Sequence, residues 1–257
     1  MCEISRRRLL QGAIETVAVA QLLRLAVGGR ASAAPVAPLM DRWVGGINEL
    51  ARDLTMADLP VIVWQERIEA LNGAIPMDDL LAQIDFDRVR RALEAQGQGE
   101  HRQPAALPGI DPPRSRCWMA VFGVAKGDAI PPHGHNILVT AHLILAGKFH
   151  TRTFDRVAEA PGRMTLRPTR DVHAVAGTTV SMSDDRDNVH WFVAEEGPAF
   201  TFDVGMRPPQ TRTFVNGSER DGRVYLDPTA RANGDGTLDA IVIDHATSLA
   251  RFGGGAG

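Results

Sequence analysis

Cysteines and aromatic residues are scarce in this chain. Two of its 257 residues are cysteines, Cys2 and Cys117, and aromatic side chains make up 5% of the total. Cys2 falls in an N-terminal segment that we expect to be removed, so the mature protein would keep a single thiol and could form no internal disulfide. Cys117 lies in the apolar run Cys117–Phe122, which favours a buried, unreactive thiol over a nucleophile.

The chain also has no large excess of positive or negative charge. The formal net charge is -3, and no basic stripe indicates a nucleic-acid partner. No apolar run is long and uninterrupted enough for a membrane span in the mature chain. Glycine (25 residues) and proline (16 residues) are plentiful instead, which is typical of a turn-rich β protein.

The first 33 residues resemble an export signal. Ser5–Gln11 contains three arginines followed by two leucines and is similar to the twin-arginine motif, and a weakly apolar stretch follows it. Ala31–Ala33 offers small residues for cleavage before Ala34. We therefore expect 1–33 to be a signal peptide that engages the twin-arginine export machinery, and the mature protein to be periplasmic or secreted. The alternative is an amphipathic N-terminal helix that stays attached.

The next two segments differ in their composition and in the spacing of their apolar residues. Residues 34–96 carry apolar side chains at helical spacing, as in Trp43, Ile47 and Leu50, and predict a helical segment of about three short helices. Residues 97–114 are rich in glycine, proline and polar side chains, and predict a linker without regular structure.

From residue 115 to 209, short apolar runs alternate with turn residues, which predicts a mainly β domain. Eight strands at this spacing suit a small barrel or jelly roll. A C-terminal extension, 210–257, turns polar and then offers a strand or helix between Leu238 and Leu249. The predicted strands are 116–125, 129–136, 138–146, 148–156, 163–168, 178–183, 189–195 and 199–204.

Three histidines in the β region have the pattern of a metal site. His133 and His135 are two residues apart, so on a strand both side chains point to the same face. His190, from a distant strand, can complete a set of three. Imidazole suits iron, zinc, copper and nickel, so the ligand type alone does not select the metal. A set of three leaves coordination positions open, which favours chemistry over structural support.

The motif Gly127–His135 resembles the first motif of the cupins, with a glycine, five residues and then His-x-His. Cupins usually place a glutamate ligand seven residues before a closing glycine, which here is Gly147, and that position is Thr140. Threonine is a poor metal ligand, so the set is reduced to three histidines. Thiol dioxygenases of the cupin superfamily lack the glutamate in the same way.

The resemblance extends to the plant cysteine oxidase and cysteamine dioxygenase family. Ile130–Val157, which includes Gly147, is similar to that family's first motif, and Asp187–Val204 is similar to its second. Two departures concern the substrate: one extra residue lies between Asp203 and Pro208, and Gln210 stands where tyrosine is common. The likeness covers roughly 115–209 and implies a cupin-type barrel or jelly roll preceded by a short helical segment.

The resemblance also implies a site and a reaction. His133, His135 and His190 would hold Fe(II), and Asp203 would orient a ligand histidine or a polar substrate group. Family members bind a thiol at iron, activate O₂ beside it and form a sulfinic acid. The expected partners are therefore a small-molecule thiol and O₂. His142 lies on the face of Thr140 and can be a fourth ligand or a histidine of the substrate pocket.

For several other residues, the sequence allows either a functional or a purely structural role. Arg152, Arg156 and Arg186 can meet a substrate carboxylate or can be solvated arginines at strand edges. His150 matches a family histidine but is also a plausible hydrogen-bonded strand residue, whereas His173 and His245 suit the surface. The segment Asn233–Asp239 resembles part of a calcium loop, but its neighbours favour a turn.

Two other functions fit the same residues. A metal-containing cupin can act as a periplasmic binding protein for a small molecule, with its open metal face filled by His142. The scaffold can also carry a metal-dependent isomerase or hydrolase, which would turn over without oxygen.

Overall fold

The computed structural model describes residues 39–111, 117–209, 213–219 and 222–254, and all of these belong to one compact unit, Pro38–Gly257. The described ranges contain five helices and nine strands. The helices are α1 (Leu39–Thr55), α2 (Val61–Gly73), α3 (Met77–Gln83), α4 (Phe86–Glu94) and α5 (His245–Phe252). The strands are β1 (Glu100–Ala105), β2 (Cys117–Val124), β3 (Ala129–His135), β4 (Val139–Ala160), β5 (Arg163–Val175), β6 (Thr179–Met182), β7 (Val189–Met206), β8 (Arg223–Asp227) and β9 (Leu238–Val242).

The strands form one antiparallel sheet that closes on itself. The order is β1-β2-β7-β3-β8-β9-β5-β4-β6, and an additional pairing of β7 with β4 closes the barrel. A mainly β fold with a closed barrel, preceded by helices, agrees with the fold predicted from the sequence.

Strands β4 and β7 are long, with 22 and 18 residues, and each contains two of the strands predicted from the sequence. Their pairing is irregular around Gly147, where the register shifts between Ala146 and Lys148. Gly147 has φ +76°, and a Cβ there would overlap the backbone of Ala199 on β7. Glycine at this position therefore lets β4 change its register against β7 without ending there. As a result, β4 continues as one strand from Val139 to Ala160.

The four N-terminal helices pack on the outer face of the barrel. Trp43, Ile47, Leu50 and Leu54 follow one another at helical spacing on α1, and all are buried in a core shared with barrel residues such as Phe202. The rings of Trp43 and Phe202 are 6.0 Å apart, centroid to centroid. Each fully buried side chain of this size stabilises the fold by about 1.5–3 kcal/mol, so burial of this face is what holds α1 to the sheet.

The expectation that 97–114 lacks regular structure is wrong for β1, which pairs with β2 along its whole length, from Glu100 opposite Val124 to Ala105 opposite Met119. The strand escapes sequence analysis because it is polar and lies at the end of the sheet order, where a proline such as Pro104 is tolerated.

The C-terminal extension is also part of the fold: β8 pairs with β3, β9 pairs with β5, and both follow the predicted polar turn. Leu238–Leu249 contains both alternatives, first strand β9 and then the start of α5. The proposed signal peptide, 1–33, lies outside the described residues. Within the described ranges, no helix is long and apolar enough to cross a membrane.

Candidate metal centre

The structure brings the three motif histidines together. His133 and His135 lie on β3, and His190 lies on β7 directly opposite His133. One ring nitrogen from each of the three lies within 4.8 Å of the others, and Nε2 of His133 is 3.1 Å from Nε2 of His135. His133 and His190 are buried, and His135 is half-buried. In the described part of the chain, this is the one cluster of three or more such side chains that could hold a metal ion.

Backbone carbonyls orient two of these rings. Nδ1 of His133 lies 2.8 Å from the carbonyl oxygen of Pro131, and Nδ1 of His135 lies 3.1 Å from that of Gly222. A carbonyl can only accept, so the hydrogen-bond network assigns the proton to Nδ1 in both rings. Nε2 then keeps its lone pair for the shared centre, the arrangement in which protein histidines bind metals.

His190 is held in a similar way. Its Nδ1 lies 3.4 Å from the carbonyl oxygen of Asn188, a longer contact than the other two. The buried amide of Asn188 in turn donates from Nδ2 to the carbonyl oxygens of His135 and Ser183, at 2.9 and 3.0 Å. Asn188 therefore ties the end of β3 to the start of β7, and so fixes the distance between the strands that carry the three rings.

Burial also sets the protonation state of the site. Desolvation lowers the pKa of both His133 and His190 well below the ordinary histidine value, and neighbouring positive groups, among them Arg223, lower it further. Neutral imidazole is the form that binds metal. Three neutral nitrogen donors with inward lone pairs fit a metal ion of the borderline class to which iron and zinc belong.

A histidine–carboxylate pair lies beside the three histidines. His142 on β4 is opposite Asp203 on β7, and Nδ1 of His142 lies 2.8 Å from Oδ2 of Asp203. On the other side of the ring, Nε2 is 3.2 Å from Oγ1 of Thr140. The ring of His142 is 5.5 Å from that of His190, centroid to centroid. Both His142 and Asp203 are almost completely buried.

The histidines open into a cavity of about 410 Å³, a size suited to a small molecule. Part of its wall is apolar, from Phe122, Ile130 and Leu138. Its polar residues include all five site residues predicted from the sequence, since the three histidines, His142 and Asp203 all line it. Apart from Thr140, the cavity also has eight lining residues that sequence analysis did not assign to the site: Glu100, Arg102, Trp118, Phe122, Ile130, Leu138, Arg207 and Arg223.

Comparison with known proteins supports an enzyme of the dioxygenase type. Residues 112–227 match the PCO_ADO family model, which describes cysteine and cysteamine dioxygenases with a cupin fold. The matched region includes every histidine of the cluster. No curated protein matches the chain.

Many solved structures match part of the chain. Procruciferin, an 11S globulin from Brassica napus, is 9% identical, with a TM-score of 0.35, over 43% of this chain and 26% of its own. A chain of the Rhodobacter sphaeroides SigE–ChrR complex is 20% identical, with a TM-score of 0.28, over 43% and 45%. A cupin-superfamily protein from Desulfitobacterium hafniense is 15% identical, with a TM-score of 0.29, over 42% and 77%. The match thus spans about a quarter of procruciferin and under half of the second chain.

The three arginines considered for a substrate carboxylate do not line the cavity. Arg152 stacks on Trp191, 4.1 Å from the ring centroid. Arg156 is buried between two carboxylates. Arg186 lies 3.6 Å from a carboxylate oxygen of Glu69 on α2. Their roles are structural, and the arginines at the cavity are others.

The remaining candidates also lie elsewhere. His150 and His173 face each other across β4 and β5, and each contacts a carboxylate, Asp171 at 2.5 Å and Glu195 at 2.7 Å. His245 stacks on Tyr225. In the segment Asn233–Asp239, Asp235 accepts hydrogen bonds from the amide and hydroxyl of Thr237, as a turn does. The turn reading of that segment is the one that the structure shows.

Some of the missed residues had a signal in the sequence. Glu100 and Arg102 are two residues apart and so share a face of β1, but this pattern has meaning only once β1 is known to be a strand. Arg223 forms a two-pronged ion pair with Glu100, with Nη1–Oε2 at 3.1 Å and Nη2–Oε1 at 2.6 Å. The pair joins β1 to β8 across 123 residues, and no local pattern indicates it.

Proposed function

We propose that this protein is an iron-dependent thiol dioxygenase, which adds both atoms of O₂ to the sulfur of a small thiol. The overall reaction, R–SH + O₂ → R–SO₂H, needs no further reductant or oxidant. The observation that carries the proposal is the cluster of three histidines, oriented by backbone carbonyls at a small-molecule cavity, within a region that matches the PCO_ADO family model.

His133, His135 and His190 would hold the metal through Nε2. Ferrous iron, when bound, supplies the redox chemistry with O₂. Because all three side chains that would hold the ion are neutral imidazoles, they would leave its charge uncompensated, and a thiolate substrate would supply negative charge at the site. Thr140 adds no charge at the position where a carboxylate would compete with that thiolate.

His142, supported by Asp203, would take the proton of the thiol. The carboxylate of Asp203 lies 2.8 Å from Nδ1 of His142 and so favours the neutral tautomer with its proton on Nδ1, which would leave Nε2 as the acceptor. In that tautomer Nε2 would accept from the hydroxyl of Thr140, 3.2 Å away, and a substrate thiol entering the cavity would replace that donor. The buried carboxylate then stabilises the imidazolium that forms.

Phe122, Ile130 and Leu138 give the cavity an apolar part, which would exclude water once a ligand fills the site. A site with little water strengthens the contact between a thiolate and a cation and protects reactive oxygen chemistry from side reactions.

An isotope experiment tests the proposal. The full chain, reconstituted with ferrous iron, is supplied with ¹⁸O₂ and either cysteine, cysteamine, 3-mercaptopropionate or a peptide with N-terminal cysteine. We expect oxygen uptake that depends on a thiol, with two ¹⁸O atoms in the sulfinic acid product. The His190→Ala variant, which should lose the metal, is the control. Absence of uptake and of product while iron is demonstrably bound would contradict the proposal.

We also propose that the protein is exported after removal of 1–33. The support is the sequence alone: adjacent arginines at Arg6 and Arg7 and a small-residue site before Ala34. Fractionation of a bacterium that expresses the chain should recover a periplasmic protein that begins at Ala34. Replacing both arginines by lysine should retain it in the cytoplasm, and an unprocessed cytoplasmic wild-type protein would contradict the proposal.

A further inference from the structure

Two arginines at the cavity have no carboxylate partner among the described residues. Arg102 on β1 and Arg207, just after β7, both line the cavity and both are exposed. The other charged groups of the lining are already paired. Arg223 is held by Glu100 through two contacts, and Asp203 lies against His142. We call the exposed edge of the cavity, where Arg102 and Arg207 lie, its mouth. The charge that remains available to a ligand there is therefore positive.

The guanidinium of Arg102 is held in place by aromatic rings. Its central carbon lies 5.2 Å from the centroid of the Trp118 ring and 5.9 Å from that of Phe122. A guanidinium stacked in this way keeps its edge N–H groups free for a ligand, because stacking uses only its face.

The position of Trp118 depends on a glycine. Gly205 is opposite Trp118 in the pairing of β2 with β7, and a Cβ at Gly205 would overlap the indole ring. The ring therefore lies against β7 at Gly205, two residues before Arg207. This arrangement places the aromatic support of Arg102 and the second arginine at the same mouth.

We infer that the cavity takes a small thiol that carries a carboxylate, with the carboxylate at Arg102 and Arg207 and the sulfur toward the three histidines. The inference rests on the proposed function and adds the class of substrate. Arginine's fork of N–H groups matches the two oxygens of a carboxylate, and two unpaired guanidinium groups at one opening attract anions and repel ammonium groups.

Three thiols that carry different charges on the same two-methylene spacer test the inference: 3-mercaptopropionate is an anion, 2-mercaptoethanol is neutral, and cysteamine is a cation at neutral pH. Oxygen uptake by the iron-loaded full chain gives kcat/KM for each, and anaerobic calorimetry gives binding without turnover. We expect the anion to be preferred in both measurements, with a KM that rises with ionic strength because exposed charges are screened.

Substitutions that remove one positive charge test whether Arg102 and Arg207 cause the preference for the anionic thiol. Arg102→Gln and Arg207→Gln should each raise KM and Kd for 3-mercaptopropionate by about tenfold, the loss expected for a hydrogen bond to a charged group. They should leave both constants for 2-mercaptoethanol unchanged. Arg102→Lys should recover part of the affinity because the charge returns without the fork. Arg91→Gln, at an exposed arginine of α4 that does not line the cavity, is the matched control.

The outcomes separate the two proposals. Turnover of cysteamine or 2-mercaptoethanol with efficiency equal to or above that of 3-mercaptopropionate would overturn the inference and leave the thiol dioxygenase standing. Equal effects of Arg102→Gln on all three thiols would also overturn it. Absence of turnover with every thiol, with iron bound, would refute the proposed function, and the inference would fall with it.

Discussion

His142 and Asp203 are direct partners across strands β4 and β7, and Nδ1 of His142 lies 2.8 Å from Oδ2 of Asp203. Among the described residues, neither Nδ1 of His142 nor Oδ1 of Asp203 has a partner with hydrogen-bond geometry, so the 2.8 Å contact is a close approach of the two groups and not a well-aligned hydrogen bond. A buried carboxylate costs free energy unless a nearby positive or donor group compensates it. The pair therefore suits a site in which the histidine becomes positively charged during the reaction.

Replacing the carboxylate tests this role. Asp203→Asn keeps the size of the side chain but removes its charge, so a protonated His142 would lose its stabilisation. We expect kcat/KM for the thiol to fall by about tenfold to a hundredfold, with iron content unchanged. Glu196→Gln, an exposed carboxylate on the same strand, is the control and should behave as wild type. If Asp203→Asn lost iron instead, the residue would act mainly on the metal site.

Removal of any one histidine of the cluster should abolish metal binding. His133→Ala, His135→Ala and His190→Ala each delete one of three donors, and the expected loss of affinity exceeds the roughly 10–100-fold that follows from loss of a supporting hydrogen bond. Metal content after dialysis is the measurement. His173→Ala, at a histidine that contacts Glu195 outside the cavity, should retain full metal content. Full occupancy in a variant of the cluster would remove that residue from the ligand set.

Much of the site was predictable because it depends on local spacing. His133 and His135 share a face of one strand as a consequence of strand geometry, whatever the rest of the fold does. The pairing of His133 with His190, by contrast, depends on the register of β3 against β7. The sequence identified the two strands, but a register shift of one residue would have turned His190 away from the site.

The mouth of the cavity was not predictable for a different reason. Glu100 and Arg102 lie on a polar edge strand with no apolar alternation, so the local sequence resembles a linker. The arginines that were considered instead find partners far along the chain, as Arg156 does with Asp184, 28 residues away. Ion pairs of this kind are a property of the folded chain, and an arginine's residue type does not reveal whether its charge is free.

Arg156 should therefore matter for stability and not for substrate binding. Its side chain is 1% exposed, it forms an ion pair with Glu159 at 3.2 Å, and it donates to Asp184 at 3.0 Å and to Asn136 at 2.8 Å. Arg156→Met leaves two largely buried carboxylates uncompensated, which should lower the free energy of unfolding by about 3–5 kcal/mol.

Urea denaturation measures this loss. Arg52→Met is the matched control, because its ion pair with Asp53 is on the surface and should cost less than about 1 kcal/mol. KM for the thiol should be unchanged in both variants. A raised KM in Arg156→Met, measured under conditions where the variant is folded, would restore this residue as a substrate contact.

Cys117 should be inert in the folded protein. It is 2% exposed, and desolvation raises the pKa of its thiol to about 12, so almost no thiolate exists at neutral pH. In a Cys2→Ser variant, Cys117 is the one remaining cysteine, and iodoacetamide at pH 8 should label it only after denaturation. Rapid labelling of the native protein would show that the thiol reaches solvent, and would make Cys117 a candidate for oxidation.

The metal-free protein should lose stability as the pH falls through the range in which unfolded histidines titrate. Burial holds the pKa of His133 and His190 well below 6.5, the ordinary value that the unfolded chain retains. Above pH 6.5 these rings are neutral in both states and contribute no pH dependence. Below it, the unfolded chain binds two protons that the folded chain does not, and unfolding becomes more favourable.

Each ring should contribute a slope of up to about 1.4 kcal/mol per pH unit below pH 6.5. Urea denaturation of the chelator-treated protein between pH 8 and pH 5 measures it. His190→Gln should remove about half of the slope, because one of the two buried rings is then gone. An unchanged slope in His190→Gln would mean that other groups set the pH dependence, and that the cluster is more accessible to protons than its burial indicates.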